Sequence, residues 1–194
     1  MTILLITLWC LLPIGLAAYH FGPGQRQLKL DDSEVLLSEA RAAVADENWP
    51  LAVERYQDAL SKLPKDQQAL SYRVRLETAK ARMLASELPV AREDLEQLVS
   101  DLDQDQAADQ GLRDEARSAL ANSRYYMTYL MKLEGLPDSA WEPEIEAARQ
   151  EYKLLATTAV NSELAHQAED DLEAAIRLAR MDPAELYGLP IPSQ

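Results

Sequence analysis

The sequence predicts an all-α protein, with one amino-terminal transmembrane helix followed by a solenoid of helix–turn–helix units, about three of them plus a capping helix. Three observations predict this. From residue 33 to residue 180 apolar residues recur at spacings of three and four, the period of helices with one buried face. A segment of the chain repeats itself 39 residues further on, the mark of stacked units. Ile3 to Phe21 is almost continuously apolar, close to the ~20 residues that span a hydrocarbon core. Composition agrees, since one Phe and six Gly in 194 residues are too few for a turn-rich β protein.

The amino-terminal stretch carries no formally charged side chain from Thr2 to Gln25. Leu4, Leu5, Leu8, Trp9, Leu11, Leu12, Ile14 and Leu16 are expected to meet lipid, with the bilayer contact running over residues 2–21. Pro13 is tolerated in a membrane helix, and Tyr19, His20 and Phe21 suit an interfacial belt. A cleaved signal peptide is the alternative. It wants a basic start, which Met1-Thr2-Ile3 lacks, although Gly15 and Ala17 would serve as a cleavage site. A lipoprotein is disfavoured because Trp9 precedes Cys10 in mid-run. Arg26 and Lys29 follow the span and no Lys or Arg precedes it. The positive-inside tendency then expects a single-pass protein of the inner (cytoplasmic) membrane, with its solenoid in the cytoplasm rather than the periplasm. Cys10 is the one cysteine, so there is no intrachain disulfide.

The anchor is expected over 1–24 and a polar linker over 25–32. The first unit, about 33–66, opens with Asp32 or Ser33 as cap and carries Leu37, Ala40 and Val44 inward. Asp46-Glu47-Asn48 makes its turn. Its second helix runs from Trp49 to Pro64, with Pro50 where a helix start tolerates proline and Ala52, Tyr56, Ala59, Leu60 and Leu63 on one face. The second unit, about 67–102, echoes the first. Residues 37–63 and 76–102 share eight identities over 27 positions, among them Ala40/Ala79, Pro50/Pro89, Ala52/Ala91 and Leu63/Leu102. The third, about 112–157, has a first helix around Leu120–Tyr126, a long loop from Gly135 to Ala140, and a second helix over Trp141–Ala156. There Ala148, Tyr152 and Leu155 stand where Ala52, Tyr56 and Ala59 stood. An amphipathic helix within 161–180 reads as the cap that closes an open-ended stack. The tail, 181–194, is apolar and Pro-rich from Leu186 to Pro192, and either packs back on the helices or docks on a partner.

This pattern resembles the tetratricopeptide repeat (TPR) family over about residues 33–157. Counted from Ser33, the small eighth residue is Ala40, the small twentieth Ala52, the aromatic twenty-fourth Tyr56, the small twenty-seventh Ala59 and the thirty-second Pro64. Glu39 and Ala43 depart from the large residues usual in the first helix. The resemblance implies a right-handed solenoid whose concave face, lined by first helices, binds peptides, tails or helices. The anchor-plus-repeat layout is also similar to membrane-anchored bacterial TPR proteins. A four-cysteine metal module known in one of these has no counterpart here, so only the architecture carries over.

A net charge of −14 repels phosphates, so nucleic acid is not an expected partner. In the TPR register the groove is lined by Leu37, Arg41 and Val44, then by Arg73, Leu76, Lys80 and Met83, then by Ser118, Asn122, Tyr125 and Tyr126. Arg41, Arg73, Lys80, Met83, Asn122 and Tyr126 are the candidate partner-binding residues. Arg73, Arg75, Lys80 and Arg82 form a local basic patch that is expected to receive an acidic segment or a carboxylate. The competing expectation is pairing with the chain's own acids. Leu37 breaks the Lys/Asn set of a chaperone-tail clamp. Tyr125, Tyr126 and Tyr129 suit core packing more than ligand stacking. Asp101, Asp103 and Asp105 imitate a calcium loop, but Gln106 and Leu112 stand where Gly and Glu are required. There is no Gly-rich phosphate loop, no G-x-S-x-G elbow and no Cys–His pair, and neither His20 nor His166 makes a metal site alone. The expectation is therefore a non-enzymatic, membrane-anchored adaptor or scaffold without cofactors. Its partners would be other protein subunits, and the oligomeric state is left open. A permanent structural or assembly-factor subunit of a cell-envelope membrane complex is the alternative.

Overall fold

A computed structural model describes residues 25–182 and 185–186, with side chains from residue 27 onward. Among the described residues there are seven α-helices and no strand: α1 Gln25–Ala45, α2 Trp49–Lys62, α3 Gln68–Leu84, α4 Leu88–Gln104, α5 Gln110–Leu133, α6 Asp138–Thr158 and α7 Ser162–Arg180. The apolar run with Leu4, Leu5, Leu8, Trp9, Leu11, Leu12, Ile14 and Leu16 lies outside the described residues. No described helix is long and apolar enough to cross a membrane.

Two compact units divide within α3, between Val74 and Arg75. In the first, α1 packs on α2. Leu37, Ala40 and Ala43 of α1 and Ala52, Val53, Tyr56 and Ala59 of α2 are buried, and the run of alanines lets the two backbones approach closely. Residues 25–32, expected as a linker, are instead the first turns of α1. The cap-type triplet Asp31-Asp32-Ser33 misleads here, because the Ser33 hydroxyl donates back to the Leu30 carbonyl at 2.8 Å from inside the helix.

In the second unit α4 packs on α5, α5 on α6 and α6 on α7. Leu95, Leu98 and Leu102 fill the α4 side. At the other end Ala121, Tyr125, Trp141, Ile145, Ala148, Tyr152, Ala175 and Leu178 form one cluster, and Leu186 of the tail is fully buried in it. Three polar side chains position the helices. Asp114 of α5, 2% exposed, accepts from the Val160 backbone N–H of the α6–α7 connection at 3.0 Å and from Gln110 at 2.8 Å. Lys132, near the end of α5, lies 4.0 Å over the Trp141 ring and donates to the Ala179 carbonyl at 3.2 Å. It thus clasps α5 and α6 to the carboxyl end of α7, where a cation is favoured. Arg113 donates to the Leu102 and Asp105 carbonyls, closing the end of α4.

One turn is used three times. After α1, Glu47 has φ 55 and its N–H donates to Val44, while Asn48 N–H donates to Ala43. After α3, Ser86 has φ 66 and Glu87 N–H donates to Arg82. After α5, Gly135 has φ 72, its N–H donates to Lys132, and Leu136 N–H donates to Met131. These are Schellman-type ends, with a left-handed residue just past the helix. A proline then stands in or beside the first turn of the next helix, at Pro50, Pro89 and Pro137. The long loop expected over Gly135–Ala140 is therefore a tight turn, and α6 begins at Asp138. A non-glycine residue costs about 1 kcal/mol in the left-handed region. Ser86→Gly is accordingly expected to stabilise the protein by about 0.5–1 kcal/mol and Gly135→Ala to destabilise it by about 1 kcal/mol. Nothing lies within 4 Å of an added Cβ at Gly135, so urea unfolding of these variants reads the backbone term alone.

Candidate binding trough on the second unit

Helices α3, α5 and α7 of the second unit, the first members of their pairs and the last helix, expose a common apolar strip. It opens as two clefts. One, of about 380 Å³, is lined by Lys80, Met83 and Leu84 of α3, Glu115, Ser118, Ala119, Asn122 and Tyr126 of α5, and Leu164 and Gln167 of α7. The other, of about 460 Å³, continues over Met127, Tyr129, Leu130 and Met131 to Leu88 and Leu136. Met83 and Tyr126 line both, so the two form one trough that these residues divide. Leu130 and Leu136 remain 45% and 41% exposed. A separate, more polar hollow lies beside the end of α7, between Glu173, Arg177, Arg180 and Glu185.

The helices hold the trough from beneath. Tyr125 turns inward and is buried, with its ring edge-on to Tyr126 at 5.8 Å between centroids. Tyr152 of α6 is 2% exposed, and its hydroxyl donates to Asn122 Oδ1 at 2.7 Å. Burial holds the Tyr152 hydroxyl far above its ordinary pKa, so it stays a proton donor to Asn122 at all ordinary pH. Asp171 lies one turn beyond Gln167 on α7, against Tyr125 and Tyr152. Burial, with the Asp170 carboxylate beside it, pushes its carboxyl up to about 6.

Of the expected partner-binding residues, the structure brings Lys80, Met83, Asn122 and Tyr126 together, with Ser118 between them. Arg41 and Arg73 are exposed on the first unit. Leu37 and Leu76, expected on the groove, are core residues at 4% and 0% exposure. The basic patch on α3 is largely neutralised from within. Arg75 pairs with Asp101 at 2.7 Å, Lys80 with Glu77 at 3.2 Å, and Arg82 with Asp94 and Glu87. The paired acids are Glu77 of α3 itself, Glu87 of the following turn, and Asp94 and Asp101 of α4. The calcium-like acids are engaged as well. Asp101 and Asp103 belong to the last turn of α4 rather than to a loop, Asp103 meets Arg117 at 2.5 Å, and Asp105 accepts from Ala107 N–H. Among the described residues no group of three or more His, Cys, Asp or Glu could hold a metal ion.

Sequence reasoning missed Leu164 and Gln167, because α7 reads as a cap with a polar outer face. It also missed Met127, Leu130 and Leu136. The available signal was the width of the apolar arc on α5, where apolar or aromatic side chains at 125, 126, 127, 129, 130 and 131 exceed what one buried stripe needs.

No protein-family model matches the chain, and no curated protein or solved structure matches it significantly.

Proposed function

We propose that this protein is a non-enzymatic adaptor of TPR-like build, held at a membrane by residues 2–21, and that it binds a segment of a partner protein in the trough of its second unit. The observation that carries the reading is the trough itself. Apolar and aromatic side chains from α3, α5 and α7 lie exposed along one strip, with a few polar groups at its edges, the make-up of a site that takes an amphipathic segment. The same turn after the first helix of each of three helix–turn–helix pairs, with proline at or beside the start of the second, supports a repeated build. The apolar run supports the anchor, and Arg26 and Lys29 support a cytoplasmic solenoid. An anchor raises the effective concentration of the trough beside membrane-bound partners without any new contact.

Site-specific photo-crosslinking tests the reading. A photoreactive side chain in place of Met83 is expected to capture a defined partner from membranes. The same group in place of Lys153, on the exposed side of α6, is expected not to. Equal capture from both positions, or none from Met83, contradicts the proposal.

A further inference from the structure

The second cleft of the trough suits an uncharged occupant. Among the described residues its lining is apolar or aromatic apart from Ser86 and Glu134. Tyr126, Tyr129 and Met131 of that lining also pack against the buried cluster that joins α5, α6 and α7. Leu186 is fully buried in the same cluster. After α7 the chain thus returns to a cluster whose outer members form the cleft wall. The return has a local cause. Met181 N–H donates to the Leu178 carbonyl at 3.3 Å as α7 ends, and Glu185 N–H donates to the Asp182 carbonyl at 2.9 Å, closing a turn just before Leu186.

Residues 187–194 lie outside the described residues. Their sequence, Tyr187-Gly188-Leu189-Pro190-Ile191-Pro192-Ser193-Gln194, carries no charged side chain. Large apolar residues alternate with Gly or Pro, the period of an extended chain. Leu189 and Ile191 each precede a proline, which steers them from helix to extended backbone. Pro190 and Pro192 have no N–H to satisfy, so an apolar cleft costs this segment little. Extended Pro-rich chain advances about 3.1 Å per residue, about 19 Å from Leu186 to Pro192, enough to lie along a cleft of about 460 Å³.

We infer that residues 187–192, led in by the buried Leu186, lie in the second cleft and compete there with any other occupant of the trough. This rests on the adaptor reading above and adds its regulation, a competitor carried on the same chain. Aromatic-lined grooves take Pro-rich segments, and Tyr126 and Tyr129 supply that lining while Met127 and Met131 adapt to Leu189 and Ile191. Tethering sets the size of the effect. A short linker holds its ligand at an effective concentration on the order of 1 mM. A segment of about 0.1 mM intrinsic affinity then fills the cleft about 90% of the time, and a ligand from outside binds about tenfold more weakly.

The test uses the chain in zwitterionic lipid nanodiscs, with protein-free nanodiscs subtracted, and a fluorescent peptide with the sequence of residues 187–194. By fluorescence anisotropy the chain ended after Leu186 is expected to bind this peptide with a Kd of about 0.1 mM, about tenfold more tightly than the full chain does. The full chain carrying Tyr187→Ser, Leu189→Ser and Ile191→Ser is expected to match the shortened one, which separates an emptied cleft from a folding defect of the truncation. A photoreactive side chain in place of Ile191 of the full chain is expected to attach, within one copy, to residues 83–89 or 126–136. Attachment to α6, to lipid or to an isotope-labelled second copy would overturn the inference. So would equal peptide binding by the full and shortened chains, or no binding by either at about 1 mM. Partner capture from Met83 that persists while position 191 attaches elsewhere leaves the adaptor reading and removes only the competitor. Attachment in the cleft with no partner captured from Met83, in the full or the shortened chain, leaves the competitor's contact and sinks the adaptor.

Discussion

Tyr152→Ala is expected to destabilise the second unit by about 3–5 kcal/mol. Tyr152 sits at the centre of the cluster that joins α5, α6 and α7, and is 2% exposed. Its removal deletes the transfer free energy of a large ring and leaves a cavity between helices that cannot close on it. Tyr152→Phe isolates the hydroxyl. It keeps the ring and loses one hydrogen bond to Asn122 at 2.7 Å, so the cost is about 1 kcal/mol. Asn122 lines the trough and takes water in exchange, which keeps the cost at that end of the range. Urea unfolding of the full chain with Trp9 and Trp49 replaced by Phe, followed by Trp141 fluorescence, reads both variants, because Trp141 belongs to the same cluster. A Tyr152→Ala cost no larger than that of Tyr152→Phe would mean that the ring is not a packing centre.

Ser118→Trp carries the largest expected functional effect. Ser118 lines the first cleft together with Lys80 and Asn122, and is partly exposed. An indole there fills the space that an apolar ridge would use, without entering the core beneath. Partner capture from membranes is expected to fall about tenfold or more, equivalent to about 1.4 kcal/mol of binding free energy. Unfolding is expected to stay within about 0.5 kcal/mol of wild type, as for other surface positions. Unchanged capture with an unchanged fold would remove the trough from the account.

The helices were readable because their causes are local. A period of three and four, proline at Pro50 and Pro89, and the alanine set at 40, 52 and 59 each act over a few residues. The 39-residue echo sets residues 37–63 against 76–102, and the first of these segments forms the α1–α2 hairpin. The repeat's register places Lys80, Met83, Asn122 and Tyr126 at equivalent positions, and the structure brings them to one cleft. The rest depended on contacts between distant residues. Leu37 and Leu76 are apolar and lie beside groove positions, and no local rule says which side of a helix meets its neighbour. The pairing of Arg82 and Arg75 of α3 depends on Asp94 and Asp101 of α4, 12 and 26 residues away in sequence. Ser33 resembles a cap, but its hydroxyl satisfies a carbonyl one turn back. The third turn is hard to read from sequence because Gly135 and Pro137 also suit a loop. What tightens it is the pair of hydrogen bonds to Met131 and Lys132.

The central claim is that α3, α5 and α7 of the second unit hold a partner segment between them. Its most direct measurement is the ratio of photo-crosslinked partner from position 83 to that from position 153, taken in native membranes, with and without Ser118→Trp. A single dominant adduct is expected from position 83, little from 153, and loss of that adduct when the cleft is filled. Adducts of equal yield from both positions, or an adduct from 83 that survives Ser118→Trp, would contradict it.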